Sequence, residues 1–214
     1  MKNLRAGLAV LTSALLLAAC GGGSGAPELK SVVVFGDSLA DVGTFGLKFT
    51  VQKAGDPKGY PIWTQIVADA AGASGAAQCN ALTSNGSTFA PSSNTACTNY
   101  AIGGGRIVAG AAQGGSASPL RVATQMGLAP TSQISNALVL IDGGGNDAAD
   151  LVGAYLGAGS GAAGVAAYQS FLLQQIPAAT LTGLLTQAGG AEKAAGAYMV
   201  ALADTFYGDI RTQV

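Results

Sequence analysis

Ser31-Val32-Val33-Val34-Phe35-Gly36-Asp37-Ser38-Leu39 decides the fold class. Five β-branched, aromatic or small residues stopped by glycine predict a short strand buried on both faces. Two similar runs follow: Thr98 to Ile102, entering Gly103-Gly104-Gly105, and Ala137 to Ile141, entering Gly143-Gly144-Gly145. Helical patterns separate and follow them, at 61–71, 118–127, 147–157, 161–176, 178–188 and 191–213, punctuated by Gly and Pro. Apolar strands that end in glycine turns before helical sequence predict an α/β domain. Its parallel sheet is covered on both faces. In such sheets function gathers at the carboxyl ends of the strands. Residues 72–98 are polar throughout and read as one long loop.

The three strand ends carry Gly36-Asp37-Ser38-Leu39, then Asn99-Tyr-Ala-Ile-Gly103-Gly104-Gly105, then Gly144-Gly145-Asn146-Asp147. In this order they resemble the first three sequence blocks of the GDSL, or SGNH, hydrolases, a family of esterases and lipases. The resemblance spans about Val32 to Asp147 by motif. It implies a three-layer α/β/α, flavodoxin-like sheet and hydrolysis of carboxylic esters with no cofactor and no metal. Ester hydrolysis passes through a tetrahedral oxyanion, so a nucleophile must sit among preorganised hydrogen-bond donors. The resemblance makes Ser38 the nucleophile and one oxyanion donor through its backbone N–H. Gly104 offers a second backbone N–H and Asn146 a side-chain amide.

Each residue also has a plainer reading. Ser38 and Asn146 suit helix N-caps. In a chain with 33 glycines, Gly103 or Gly105 could take the place of Gly104. Asp37 and Asp41 read as turn and loop anchors, and Asp147 as support for the third strand end. Asp142, Asp147 and Asp150 match no calcium loop. Gly143-x-Gly145-x-x-Ala148 formally fits a dinucleotide fingerprint, but after Asp150 the next acidic residue is Glu192, far from the position a ribose would need.

The family's fourth block, Asp-x-x-His, is not in these 214 residues, and neither is any histidine. No serine–histidine pair and no usual zinc site can form within them. The expectation is therefore the front part of a longer hydrolase, inactive alone, whose sheet stops after about three strands. Leu138 to Ile141 is then an uncovered apolar edge. The alternative is a non-catalytic envelope lipoprotein that uses the fold to bind acyl or glycan ligands.

Residues 1–19 read as an export signal: Lys2 and Arg5, then a short apolar stretch from Ala6 to Ala19. Leu17-Ala18-Ala19-Cys20 resembles the bacterial lipobox, with lipid on Cys20; an ordinary signal peptide with a coincidental cysteine is the alternative. Residues 20–30 then form the lipidated cysteine and a flexible tether, and 31–214 the hydrolase part. The expected place is a Gram-negative envelope, on the outer membrane. There the partners are a small-molecule or lipid ester and the membrane itself. In an oxidising periplasm Cys79 and Cys97 are expected to form one disulfide, with two free thiols as the alternative. Ten basic against eleven acidic residues, with no basic stretch, argue against nucleic acid. Charged residues are only 10% and apolar ones 49%, which argues against disorder.

Overall fold

A computed structural model describes residues 29, 31–73 and 75–213. The fold is mixed α/β. Strand β1 (Ser31–Phe35) pairs in parallel with the strand Ala137–Ile141, residue for residue from Ser31↔Ala137 to Phe35↔Ile141. On the other side of β1 runs the Thr98–Ile102 segment. Val34 N donates to Thr98 O (2.9 Å), Tyr100 N to Val34 O (2.8 Å) and Ile102 N to Gly36 O (3.1 Å). β1 is thus the central element, and Val32 to Phe35 have no solvent exposure.

The middle run differs from expectation in one respect. It makes a single parallel bridge, Val34↔Asn99, rather than a full strand. The cause is Asn99, which is fully buried. Its Nδ2 donates to Ala40 O (2.9 Å), while its Oδ1 accepts from Ala101 N (3.1 Å) and bends the chain locally. The polar stretch 72–98 is likewise not one loop. It contains an antiparallel hairpin, β2 (Leu82–Ser84) and β3 (Phe89–Pro91). Three-residue strands are too short to show alternation in sequence. Asn85 organises the turn by accepting from Ser87 N and Thr88 N, each at 2.9 Å. The strand Ala137–Ile141 is β4. Among the described residues it pairs only with β1, and all five of its residues are half-buried.

Six helices lie within or close to the predicted patterns, α1 (Trp63–Ala70), α2 (Val122–Leu128), α4 (Gly145–Gly157), α5 (Ala162–Leu172), α6 (Ala178–Leu185) and α7 (Gly190–Gln213), while the single-turn helix α3 (Thr131–Ile134) had no pattern in the sequence. Alternation along β1 divides the core. Val33 and Phe35 pack with Tyr100, Val122 and Met126, whereas Val32 and Val34 pack with Ala40, Ala68, Ala77 and Ala101. A third cluster lies among α4, α5, α6 and α7, around Leu151, Tyr168, Leu172, Tyr198 and Leu202. The bidentate contact of Arg121 Nη2 with Asp209 (3.0 and 2.8 Å) ties the start of α2 to the end of α7. No helix among the described residues is long and apolar enough to cross a membrane.

Cys79 and Cys97 are disulfide-bonded, with Cα atoms 5.2 Å apart and a sequence separation of 18. The closed loop holds the whole β2–β3 hairpin. Closing a loop of this size restricts the unfolded chain, and the gain is about 3 kcal/mol. Denaturant titration with and without reductant should show a loss of about that size. An unchanged unfolding midpoint after verified reduction would contradict it. Cys20 and residues 1–19 lie outside the described residues.

Candidate active site at three strand ends

The first strand end is held by a residue that sequence reading missed. Gln125, on α2 and fully buried, accepts from Gly36 N at Oε1 (2.8 Å) and donates from Nε2 to Gly36 O (3.0 Å). Its side chain substitutes for a strand partner just where β1 leaves the sheet. Nothing in the motif hinted at it, because a lone glutamine within an amphipathic helix reads as surface. Gly36 itself has φ +151°, and a Cβ there would fall 1.6 Å from Asp142 Oδ1. Only glycine fits.

Beyond Gly36 the chain turns tightly. Ala40 N and Asp41 N both donate to Asp37 O (3.1 and 3.0 Å), and Asp37 Oδ1 accepts from Leu39 N (2.9 Å). Ser38 sits half-exposed on this turn, and no helix starts there, which removes the N-cap reading. Its hydroxyl and its backbone N–H have no hydrogen-bond partner among the described residues.

Side chains and close backbone contacts brace the three ends against one another. Asp41, fully buried, accepts from Gly43 N and Thr44 N at Oδ1 (2.8 Å each) and from Gly103 N at Oδ2 (2.7 Å). Burial raises its pKa while these donors pull it down, and the net direction is upward. The anchoring role expected of Asp41 is what the geometry displays. A Cβ on Gly105 would lie 2.4 Å from Gly36 O and 3.1 Å from Asp37 Cα, so the second strand end packs directly on the first. Asp37 N donates to Asp142 Oδ1 (2.9 Å), joining the first end to the third. Asn146 Nδ2 donates to Gly105 O (2.9 Å), joining the third to the second.

The three glycines differ in their hydrogen bonds. Gly103 N is taken by Asp41 and Gly105 N by Ile102 O (2.8 Å). Gly104, at φ +86°, is the member whose N–H has no acceptor among the described residues. Asn146 is the second residue of α4, whose N-cap is Gly144, so its amide is not a cap. One of its two N–H groups is spent on Gly105 O and the other remains. Beside Gly103 and Gly104 opens a cavity of about 650 Å³, walled by Phe45, Phe89, Pro119 and Leu120.

The aspartates divide by role. Asp147 is buried, and its Oδ2 and Oδ1 accept from Ile107 N and Val108 N (2.9 Å each). It thus supports the segment after the second strand end rather than the third end alone. Burial raises its pKa. Asp150 pairs with Arg106, whose Nε and Nη2 donate at 2.7 and 3.2 Å. Asp142 Oδ2 is buried with no partner among the described residues. Burial, opposed by the Asp37 N–H and helped by the Asp37 carboxylate, pushes the Asp142 pKa up from 3.8 to about 6.

That shift has a pH signature. The folded state holds the extra proton between 3.8 and about 6, so this group's contribution to stability falls as pH rises through that window. Asp142→Asn keeps an acceptor for Asp37 N and removes the buried charge. After allowing for partial exposure, it should raise stability by about 1–2 kcal/mol above pH 6 and by little at pH 4. Thermal midpoints across pH check this; a gain independent of pH would show that the charge is not the cause. No family model, curated protein or solved structure matches this chain.

Proposed function

We propose that this chain carries the nucleophile and oxyanion hole of a GDSL/SGNH-type serine ester hydrolase on a three-layer α/β/α sheet. Ser38 Oγ attacks the ester carbonyl, and its own N–H, the Gly104 N–H and the Asn146 amide receive the oxyanion. One observation carries the reading. At three chain ends braced against one another, Ser38 N, Gly104 N and one of the two Asn146 amide N–H groups have no acceptor among the described residues, while their neighbours Gly103 N and Gly105 N are committed elsewhere. Donors free of protein acceptors are what a developing oxyanion needs. The aromatic cavity beside Gly104 suits an apolar part of the ester.

The 214 residues hold no histidine, so within them Ser38 has no imidazole base. The test is hydrolysis of short-chain aryl esters by the 214 residues alone, with imidazole added, and by a form in which an Asp-x-x-His block follows Val214. Activity confined to the last two conditions supports the reading. Inertness of all three toward every ester favours the second reading, a non-catalytic ligand-binding lipoprotein, which the missing base motivates. Lipid on Cys20 and an outer-membrane place complete the proposal. Mass spectrometry of the mature N-terminus should find an acylated Cys20, and a free N-terminus created elsewhere would remove the anchor.

A further inference from the structure

The cavity beside Gly103 and Gly104 takes one wall from the hairpin that Cys79 and Cys97 close off. Gly86, Ser87 and Phe89 of that hairpin line it, together with Phe45, Pro119 and Leu120. A hydrogen-bonded path fixes Phe89 relative to the second strand end. Asp41 accepts from both Gly103 N and Thr44 N, and Thr44 Oγ1 donates to Ala101 O (3.1 Å). Thr44 O in turn accepts from Ser84 N (2.8 Å), and Ser84 is the β2 partner of Phe89.

Three rings complete the connection. Phe89 meets Phe45 edge-on, with centroids 5.9 Å apart at 79°, and Phe45 meets Phe49 at 5.5 Å and 76°. A Cβ on Gly103 would fall 2.2 Å from the Phe49 ring, so the row of rings begins on the glycine triplet itself. Edge-to-face contacts of this kind hold each ring at a defined angle. The hairpin wall is thus tied to the same glycines that offer the unbonded Gly104 N–H.

The lining sets what the wall can accept. None of the residues around this cavity is charged. The Arg106 guanidinium, close to Gly104, is occupied by Asp150 and by Gly104 O. A charged group entering here would lose water and gain no counter-charge, which is costly. Phe45, Phe89 and Leu120 are each half-buried, so an apolar group laid against them removes surface from water on both sides of the contact. The cavity, about 650 Å³, is within the usual range for a small-molecule site.

We propose that the hairpin β2–β3 is the specificity element of this site: Phe89, seated on Phe45 and joined by Leu120, forms a subsite for an uncharged alkyl or aryl group of the substrate. That this group belongs to an ester rests on the proposed Ser38 chemistry; the subsite itself does not. The test uses methyl ketones, which present an ester-like carbonyl with no leaving group. NMR titration of the 214-residue chain with ketones from butanone to the eight-carbon member should show affinity rising about two- to fourfold per methylene. Acetophenone should bind, and levulinate, a methyl ketone that carries a carboxylate, should not. Phe89→Ala should weaken the longest ketone roughly fivefold or more and flatten the series. If Phe89→Ala does not fold, Leu120→Ala carries the same expectation. A flat series in the parent overturns the proposal, as does levulinate binding as well as the neutral ketones. A folded Phe89→Ala that keeps the parent's slope overturns it too. A rising ketone series beside inert esters, in the form with an Asp-x-x-His block, would support the subsite and count against the hydrolase reading alone.

Discussion

Ser38→Ala should abolish ester hydrolysis in the form that carries an Asp-x-x-His block, because no other hydroxyl replaces Oγ on the turn after β1. The effect belongs to chemistry rather than folding. Ser38 is half-exposed and its hydroxyl holds nothing in place, so the variant should keep the parent's thermal midpoint. Asn146→Ala should cost roughly a hundred- to a thousand-fold in kcat, the usual loss for one oxyanion donor. It should also cost some stability, since Asn146 Nδ2 braces Gly105 O. Steady-state kinetics beside thermal melts separate the two contributions. A Ser38→Ala variant with undiminished turnover would end the hydrolase reading.

Gly105→Ala should be the most damaging small substitution at the site. The added methyl would meet Gly36 O at 2.4 Å, Ile102 O at 3.0 Å and Asp37 Cα at 3.1 Å, all backbone atoms that cannot rotate away. Relief requires the second strand end to withdraw from the first. That movement strains the Asn146 Nδ2 bond to Gly105 O and the Asp41 bond to Gly103 N. A loss of about 2–4 kcal/mol is expected from such overpacking combined with weakened buried hydrogen bonds. By contrast, Gly104→Ala meets nothing closer than 3.7 Å, and its cost comes from the φ of +86° alone, about 1 kcal/mol. Denaturant unfolding of the two variants side by side checks the ranking. Equal losses would mean that the two strand ends are not in register contact.

The sequence alone determined the parts whose signal is local. A β-branched run closed by glycine is a strand for steric reasons, and β1 and β4 lie where the apolar runs predicted. Helices α4 to α7 follow from Ala-rich periodicity interrupted by Gly and Pro, and their observed bounds differ from the pattern by a few residues. β1 lies between Asn99 and β4, with parallel pairing on both sides.

Tertiary structure decided whatever depends on partners distant in the chain. Gln125 could not be foreseen as the clamp on Gly36, 89 positions away, because a glutamine's role is set by what it faces. Which of the three consecutive glycines keeps an unbonded N–H among the described residues depends on what Asp41 and Ile102 consume. The hairpin inside the polar stretch emerged only once Asn80 and Ala81 paired with Asn99.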